Sequence, residues 1–253
     1  MRVRREPPPF RRVSVVRTEF ISPHLTRVAL SGPELEGFRL VEPAASIRLL
    51  LPTDGELVMP TWDGNLFRHS NGDRATIRTF TPRRFDDDSL ELHIDVVLHE
   101  GGAASAWTKT VEPGEMVAVS GPGRGYRFDS EATAFLLAGD ESAIPAICQL
   151  LEHLPRVPIA VHLAVRSEDA KVDLHRDVDV TWYVASDGSP SYETLSRALS
   201  TVELASGVHV WAAGEAAEMH RIRKHLFDKR DFPRSRATIR GYWRRRDVET
   251  DSP

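Results

Sequence analysis

A single cysteine, Cys148, leaves no partner for an internal disulfide and no thiol cluster for a structural zinc or an iron–sulfur centre. That scarcity fits a reducing compartment. Cys148 lies in "IPAICQLLEHL", an apolar stretch with helical rhythm, and reads as a packing thiol. Long apolar runs are also missing: no stretch approaches the roughly 18 residues of a membrane-spanning helix, and the amino-terminal "MRVRREPPPFRRV" sets three prolines where a secretion signal needs an apolar run. The expectation is a cytoplasmic protein, a monomer, with no integral membrane segment and no metal site. Charge of one sign is not in excess either, at a formal −4 and a pI near 6.2. Bulk electrostatics therefore argue against nucleic acid as a general partner, and any anion site must be local.

What is present suits a globular protein. Hydrophobic residues at 41% and charged residues at 28% supply a core and a solvated surface. A chain of 253 residues favours two domains, at about 150 residues each as a guide. The first half has short runs rich in Val, Ile, Leu and Phe, such as "RVSVVRTEF", "LTRVALSG", "SIRLLLP" and "EMVAVSGP", separated by turn residues. This spacing predicts an antiparallel barrel or sandwich. "LELHIDVVL" alternates at Leu90, Leu92, Ile94, Val96 and Leu98, so one face is buried. Residues 53–73 are polar and turn-rich and read as a long connection. The second half interleaves unalternated apolar strands ("ATAFLLAGD", "VPIAVHLAV", "VDVTWYVAS", "GVHVWAAGE", "RATIRGYW") with helical patterns at 141–154, 191–204 and 216–230. That rhythm predicts a parallel sheet covered on both faces, which binds ligands at the carboxyl ends of its strands. The join is expected near Phe128 to Glu131, giving domains of residues 1–129 and 130–253.

Four stretches carry chemistry. In "RTFTPRRF", residues 78–85, Pro82 removes a backbone donor and disfavours helix at Thr81, so the strand ends or bulges there. Arg78 offers a planar fork for a phosphate pair, Phe80 a flat surface, and Thr79 and Thr81 hydroxyls. An edge strand charged against aggregation is the alternative. In "LHEGGAASAWTK", residues 98–109, Gly102 and small residues before a short helix let backbone amides approach a phosphate, with Ser105 as a further donor. A tight strand-to-helix turn with His99 at its start explains the same residues. In "LLAGDESAIPAI", Asp140, Glu141 and Ser142 stand where a helix caps itself or meets a ligand, and Gly214 and Glu215 of "VWAAGEAAEM" form a second such turn. Neither matches G-x-G-x-x-G, so the usual dinucleotide fingerprint is absent.

Their order resembles the ferredoxin–NADP reductase superfamily. Within it, "RTFTPRRFD", "VVLHEGGAASAW", "GPGRG", "LLAGDESAIPAI", "VWAAGEA" and "IRGYWRR" resemble the siderophore-interacting protein family of flavin-dependent ferric-siderophore reductases, over residues 12–246. The resemblance implies a two-domain β plus α/β protein: an N-terminal antiparallel Greek-key β barrel that binds FAD, followed by a parallel-sheet α/β domain that binds a nicotinamide. It places Arg78, Thr79, Phe80 and Thr81 on the flavin and its pyrophosphate, with Phe80 where the family usually has tyrosine. Val97, His99, Gly102, Ala104 and Ser105 would line the ring edge and phosphates. Asp140, Glu141, Ser142, Gly214, Glu215 and Ala216 would hold NADPH or NADH. A tryptophan followed by His-Arg, frequent in the family, is replaced by Trp182-Tyr183-Val184, which leaves the choice of nicotinamide open.

The resemblance implies electron transfer from NAD(P)H through FAD to a ferric siderophore. A hydride carries two electrons and ferric iron accepts one, so flavin is the carrier such chemistry needs. No catalytic acid, base or nucleophile is required. Arg48, Arg124 and Arg244 are placed by the resemblance as a basic patch for the anionic substrate, and between Arg221 and Arg246 basic residues far outnumber the acids Asp228 and Asp231. Each arginine also reads as a solvated surface residue. Two alternatives remain: a flavoprotein that binds ferric siderophore without nicotinamide-driven turnover, and a flavin reductase with another electron acceptor.

Overall fold

The computed structural model describes residues 7–185 and 194–245. The start of the predicted helix at 191–193, Ser186, Asp187 and Gly188 after the Trp182 stretch, and Arg246 lie outside the described residues. The chain forms two compact units, one comprising residues up to Arg127 together with Cys148–Leu150, the other the remaining residues from Phe128. No helix among the described residues is long and apolar enough to cross a membrane.

The first unit holds β1 (Phe10–Ser22), β2 (Leu25–Ser31), β3 (Ile47–Leu50), the two-residue strands β4 (Thr61–Trp62) and β5 (Phe67–Arg68), β6 (Ile77–Phe80), β7 (Pro82–Asp86), β8 (Glu91–Val97), the short helix α1 (Ala103–Thr108) and β9 (Met116–Ser120). Seven strands make one antiparallel sheet in the order β6-β3-β9-β1-β2-β8-β7. Its two edges, β6 and β7, are joined through the single residue Thr81. The sheet must therefore curl until its edges meet, and Pro82, which cannot donate to a ladder, marks the corner. β3, the β6–β7 strand and β8 follow one another as neighbours, and β9 returns beside β3, which is a Greek key.

The barrel interior is filled by Val13, Val28, Leu49, Leu92, Ile94 and Val119, all at most 1% exposed. Trp107 of α1 joins this core and donates its indole N–H to Glu115 at 2.6 Å. β8 keeps the predicted alternation with one exception. Asp95 is buried as well, because it stands opposite Arg27 in the β2–β8 register and receives two hydrogen bonds from its guanidinium, at 2.7 and 2.8 Å. The connection at 53–73 is more structured than its composition predicts. β4 and β5 pair, Phe67 meets Trp62 and Phe10 with ring centroids 5.0 and 5.1 Å apart, and Leu57, Met59 and Phe67 pack on a second cluster around Leu50, Ala75 and Ala118.

The second unit holds β10 (Ala134–Asp140), α2 (Ile144–His153, apart from Cys148–Leu150, which group with the first unit), β11 (Ile159–Val165), β12 (Asp179–Val184), α3 (Thr194–Thr201), β13 (Val208–Glu215), α4 (Ala216–Lys224) and β14 (Ala237–Trp243). All pairings are parallel, in the order β12-β11-β10-β13-β14. The order reverses between β10 and β13, so the crevice at a topological switch point opens at their carboxyl ends. Every residue of β13 is buried, as an unalternated strand between two covered faces requires. Cys148 is buried in α2, and no group of metal-ligating side chains occurs among the described residues.

Candidate functional site

In the barrel unit the candidate residues converge at the corner. Pro82 stands opposite Ile94 in the β7–β8 register. Running back along the strand to Phe80 and forward along β8 to Val96 leads, in an antiparallel pair, to the same end of the barrel, where the turn after Val97 begins. β6 lies against β8 at this seam. The "RTFT" strand and the glycine-containing turn are thus brought together, although 17 to 27 residues separate them in the chain, counting from Phe80 to Val97 and from Arg78 to Ser105.

Each side chain has a defined setting. Arg78 and Thr79 are exposed, and among the described residues the Arg78 guanidinium bonds only the carbonyl of Ile77, at 3.0 Å, with no carboxylate against it. Phe80 stands opposite Ile47 and packs partly against the barrel core, while Thr81 is 7% exposed. Ser105 is buried, and its hydroxyl is used within the turn: it accepts from the N–H of His99 at 3.0 Å and donates to the carbonyl of Val97 at 3.3 Å. It clamps the end of β8 onto α1. His99 is exposed, with Nδ1 3.1 Å from the Glu100 carbonyl, and its ring lies over Gly102: a Cβ there would come within 2.5 Å of the imidazole. A side chain at 102 would push the exposed imidazole aside from this position. Ala104 is buried on α1, whose first amides have no earlier turn to bond.

Arg48 stands in register with Thr79 on one side and Ser120 on the other, on the barrel's outer face. It makes no ion pair among the described residues. Arg124 is exposed on a loop pinned by three backbone N–H groups: Gly123 to the Ser46 carbonyl at 2.7 Å, Gly125 to Glu42 at 3.0 Å, and Tyr126 to the Pro43 carbonyl at 2.7 Å. Arg127, the Gly125 amide and Arg124 hold the Glu42 carboxyl below the usual carboxylate range, with Arg127 the largest cause.

In the α/β unit the acids predicted at the strand ends lie at the switch point. Asp140 caps the turn before α2, accepting from the Ser142 amide at 2.9 Å and the Ser142 hydroxyl. Its other oxygen accepts from the Glu215 amide at the end of β13 and from Nε1 of Trp243 at the end of β14, both at 2.8 Å. Burial raises its carboxyl pKa against the opposing pull of these donors, the Ser142 hydroxyl being the strongest. Gly214 has φ +155°, and a Cβ there would lie 2.6 Å from Oδ2 of Asp140. Glu141 is 7% exposed and accepts both the backbone N–H of Arg166, at 2.7 Å, and its guanidinium. Glu215 caps α4, accepting from Ala217 and Glu218 at 2.6 and 2.9 Å. Ala216 opens that helix. Trp182 and Tyr183 are partly buried on β12, and the Tyr183 hydroxyl lies 2.8 Å from Nδ1 of His162.

Two participants escape a reading of the sequence alone. Arg166, just after β11, and Trp243, at the end of β14, complete the acid cluster from 25 and 103 residues away. The only local sign was an arginine or aromatic at a strand's carboxyl end.

Comparison with known proteins agrees across the chain. Residues 14–126 match the profile of the siderophore-interacting FAD-binding domain, and residues 132–246 that of the siderophore-interacting protein. The uncharacterized protein Rv2895c of Mycobacterium tuberculosis is 34% identical over 264 aligned positions, 95% of this chain and 92% of that one. The ferric vibriobactin reductase ViuB of Vibrio cholerae is 28% identical, covering 93% of this chain and 89% of its own. A crystal structure of a siderophore utilization protein from T. fusca superposes with a TM-score of 0.84 at 32% identity over 97% of both chains. Solved proteins of the ferredoxin–NADP reductase type, at lower identity, share the fold.

Proposed function

The chain belongs to the siderophore-interacting protein family and carries its FAD-binding domain, and from that premise we propose that it passes electrons from NADPH or NADH through FAD to a ferric siderophore. The observation that carries the reading is the presence of two sites within one chain: a barrel corner where a cation with no carboxylate partner among the described residues stands near a glycine-containing turn, and a parallel sheet with its switch point at β10 and β13.

The barrel corner fits a flavin dinucleotide. Arg78, which has no carboxylate partner among the described residues, would take the pyrophosphate with the donors that the Ile77 carbonyl leaves over, the exposed Thr79 hydroxyl and the first amides of α1 would add donors, and Phe80 would supply apolar support. Thr81 and Ser105, both buried, would act by holding the corner and the turn in place. His99 would lie beside the ring system. Bound FAD supplies the change from a two-electron donor to a one-electron acceptor. In the α/β unit Asp140 fixes the strand ends, and Glu141, Ser142, Glu215 and Ala216 would border the nicotinamide cofactor.

Each nicotinamide oxidised would reduce two ferric ions and release one proton. Iron that gains an electron binds the hard oxygen donors of a siderophore less tightly, and it can then leave. The siderophore's own contacts would come from Arg48, Arg124 and Arg244, which offset the chain's net negative charge. The protein would work as a cytoplasmic monomer.

The test is anaerobic. FAD-loaded protein is mixed with NADPH or NADH, and the oxidised flavin absorbance is followed before and after addition of a ferric siderophore, with a ferrous-specific chelator to trap the product. Bleaching by one nucleotide, recovery on adding the siderophore and two trapped ferrous ions per nucleotide are expected. A flavin that neither nucleotide bleaches, in protein that still binds the siderophore, would leave the second reading, a binding flavoprotein without turnover, which the Trp182-Tyr183-Val184 stretch favours.

A further inference from the structure

The first sheet has an open edge that none of the roles above uses. β1 pairs with β9 along residues 10–14 and with β2 along residues 14–22, so its second half has a strand on one side only. The last bonds on the β9 side are those of Val15, whose N–H donates to the Glu115 carbonyl and whose carbonyl accepts from the Gly114 amide, at 2.9 and 2.8 Å. Beyond them residues 16–20 are exposed, and no strand among the described residues covers that side. Phe20 leaves its ring 76% exposed, and Val16 and Met116, at the other end of the open stretch, are 37% and 41% exposed.

The order of charges says what fits. An open edge offers its backbone N–H and C=O groups to any extended chain, and charged side chains such as Arg17 and Glu19 commonly guard it, because like charges set opposite one another repel. One strand escapes that guard. In "VRTEF", residues 16–20, opposite charges stand symmetrically about Thr18. An antiparallel strand of the same sequence, with Thr18 against Thr18, sets Arg17 opposite Glu19 and Glu19 opposite Arg17. The same register carries Phe20 to the end of the second edge where Val16 and Met116 are exposed. Arg17 is also held ready: its forked pair with Glu91, at 2.9 and 2.7 Å, fixes the guanidinium while leaving the side chain 52% exposed. We infer that this edge pairs with a second copy of the chain, antiparallel across a two-fold axis at Thr18, so that β7-β8-β2-β1 of one copy runs on into β1-β2-β8-β7 of the other. Register shifts at Val15/Arg17 and Phe20/Ser22 bound the regular stretch. The buried area is therefore small, and the dimer is transient, with a dissociation constant of about 1–100 µM. Neither chemical site includes this edge. The monomer remains the catalytic unit, and the pairing stands whether or not the proposed electron transfer does.

Sedimentation velocity of the full chain, from about 1 to 500 µM, tests the pairing and should show a reversible monomer–dimer equilibrium. Arg17→Glu and Glu19→Arg should each weaken association at least about tenfold, because each sets two pairs of like charges opposite one another across the axis. Mixed in equal amounts, the two variants should associate about as tightly as the parent does, since one edge is then wholly acidic and the other wholly basic. That rescue is what an antiparallel register about Thr18 demands and a merely structural role of either residue does not. Phe20→Ser should also weaken association, with circular dichroism confirming that each variant is folded. A parent that stays monomeric at about 500 µM, a dimer indifferent to the single reversals, or a mixture that associates no better than its components overturns the inference. Should Arg17→Glu fail to fold for want of its Glu91 pair, Glu19→Arg and Phe20→Ser decide, and undiminished association in both overturns it.

Discussion

Nε1 of Trp243 donates to Oδ2 of Asp140 across 2.8 Å, joining the last strand of the parallel sheet to the end of its first. The same oxygen accepts the Glu215 amide from the strand between them. One carboxylate thus holds three strand ends in register around the crevice where the fold offers a ligand site.

Replacing Trp243 with Phe keeps a ring and removes that donor. Asp140 then stays buried with fewer partners, and the expected loss is about 1–3 kcal/mol in chemical denaturation. Asp140→Ala should be more severe, since it strands the Ser142, Glu215 and Trp243 donors together. A Trp243→Phe protein as stable as the parent would mean that the bond contributes nothing.

Gly214→Ala sets a Cβ 2.6 Å from Asp140 Oδ2 at a φ of +155°. The combined clash and backbone strain should cost about 2–5 kcal/mol. Gly72→Ala is the matched control, with φ +89° and nothing within 4 Å of the added carbon; it should cost about 1–2 kcal/mol from backbone strain alone. Thermal melts of the two variants side by side check the ranking.

Much of this was legible beforehand. Pro82 correctly ends one strand and begins another, because a missing N–H is a local property of the residue. The continuous apolar run of β13 correctly announced a strand buried on both faces. Asp95 broke the alternation of β8 for a reason no local pattern contains: its partner Arg27 is 68 residues away. The aromatic hairpin in 53–73 is not legible because two-residue strands leave no period to detect, and what gives Phe67 a place to pack is distant in the chain: Phe10 and the cluster of Leu50, Ala75 and Ala118. Arg78, Phe80 and the turn at Gly102 could be picked out as residues, but their meeting depends on the β7–β8 register.

Acid should weaken the barrel hairpin around Asp86 in a defined window. The amide and then the hydroxyl of Ser89, followed by the Arg84 guanidinium, hold the Asp86 carboxyl down to about 2, from 3.8. A folded-state pKa below the unfolded one contributes stability at higher pH that is lost as pH falls through the folded value. The loss should therefore fall between pH 3.8 and about 2, and Asp86→Asn should remove that part of the pH dependence. Denaturation midpoints of parent and variant, compared at pH 5 and at pH 2.5, read this out. Identical pH dependence in the two would refute it.

Arg78→Ala should weaken FAD binding by about 10- to 100-fold, the equivalent of losing a charge-assisted hydrogen bond of about 1.5–3 kcal/mol. Its guanidinium is exposed and supports nothing else through an ion pair among the described residues, so the folded protein should be otherwise unaltered. Titration of apoprotein with FAD by fluorescence quenching, with circular dichroism as the control for folding, measures it. Undiminished affinity would move the pyrophosphate away from this strand.

The way the first sheet closes also sets an order of events during synthesis. β9, at Met116–Ser120, is the strand that bridges β1 and β3. Until it leaves the ribosome, both of those strands wait with open edges, apolar on one face and available to any passing neighbour. A nascent chain that stops short of it cannot complete the cylinder, so closure of the barrel has to follow translation of nearly half the protein.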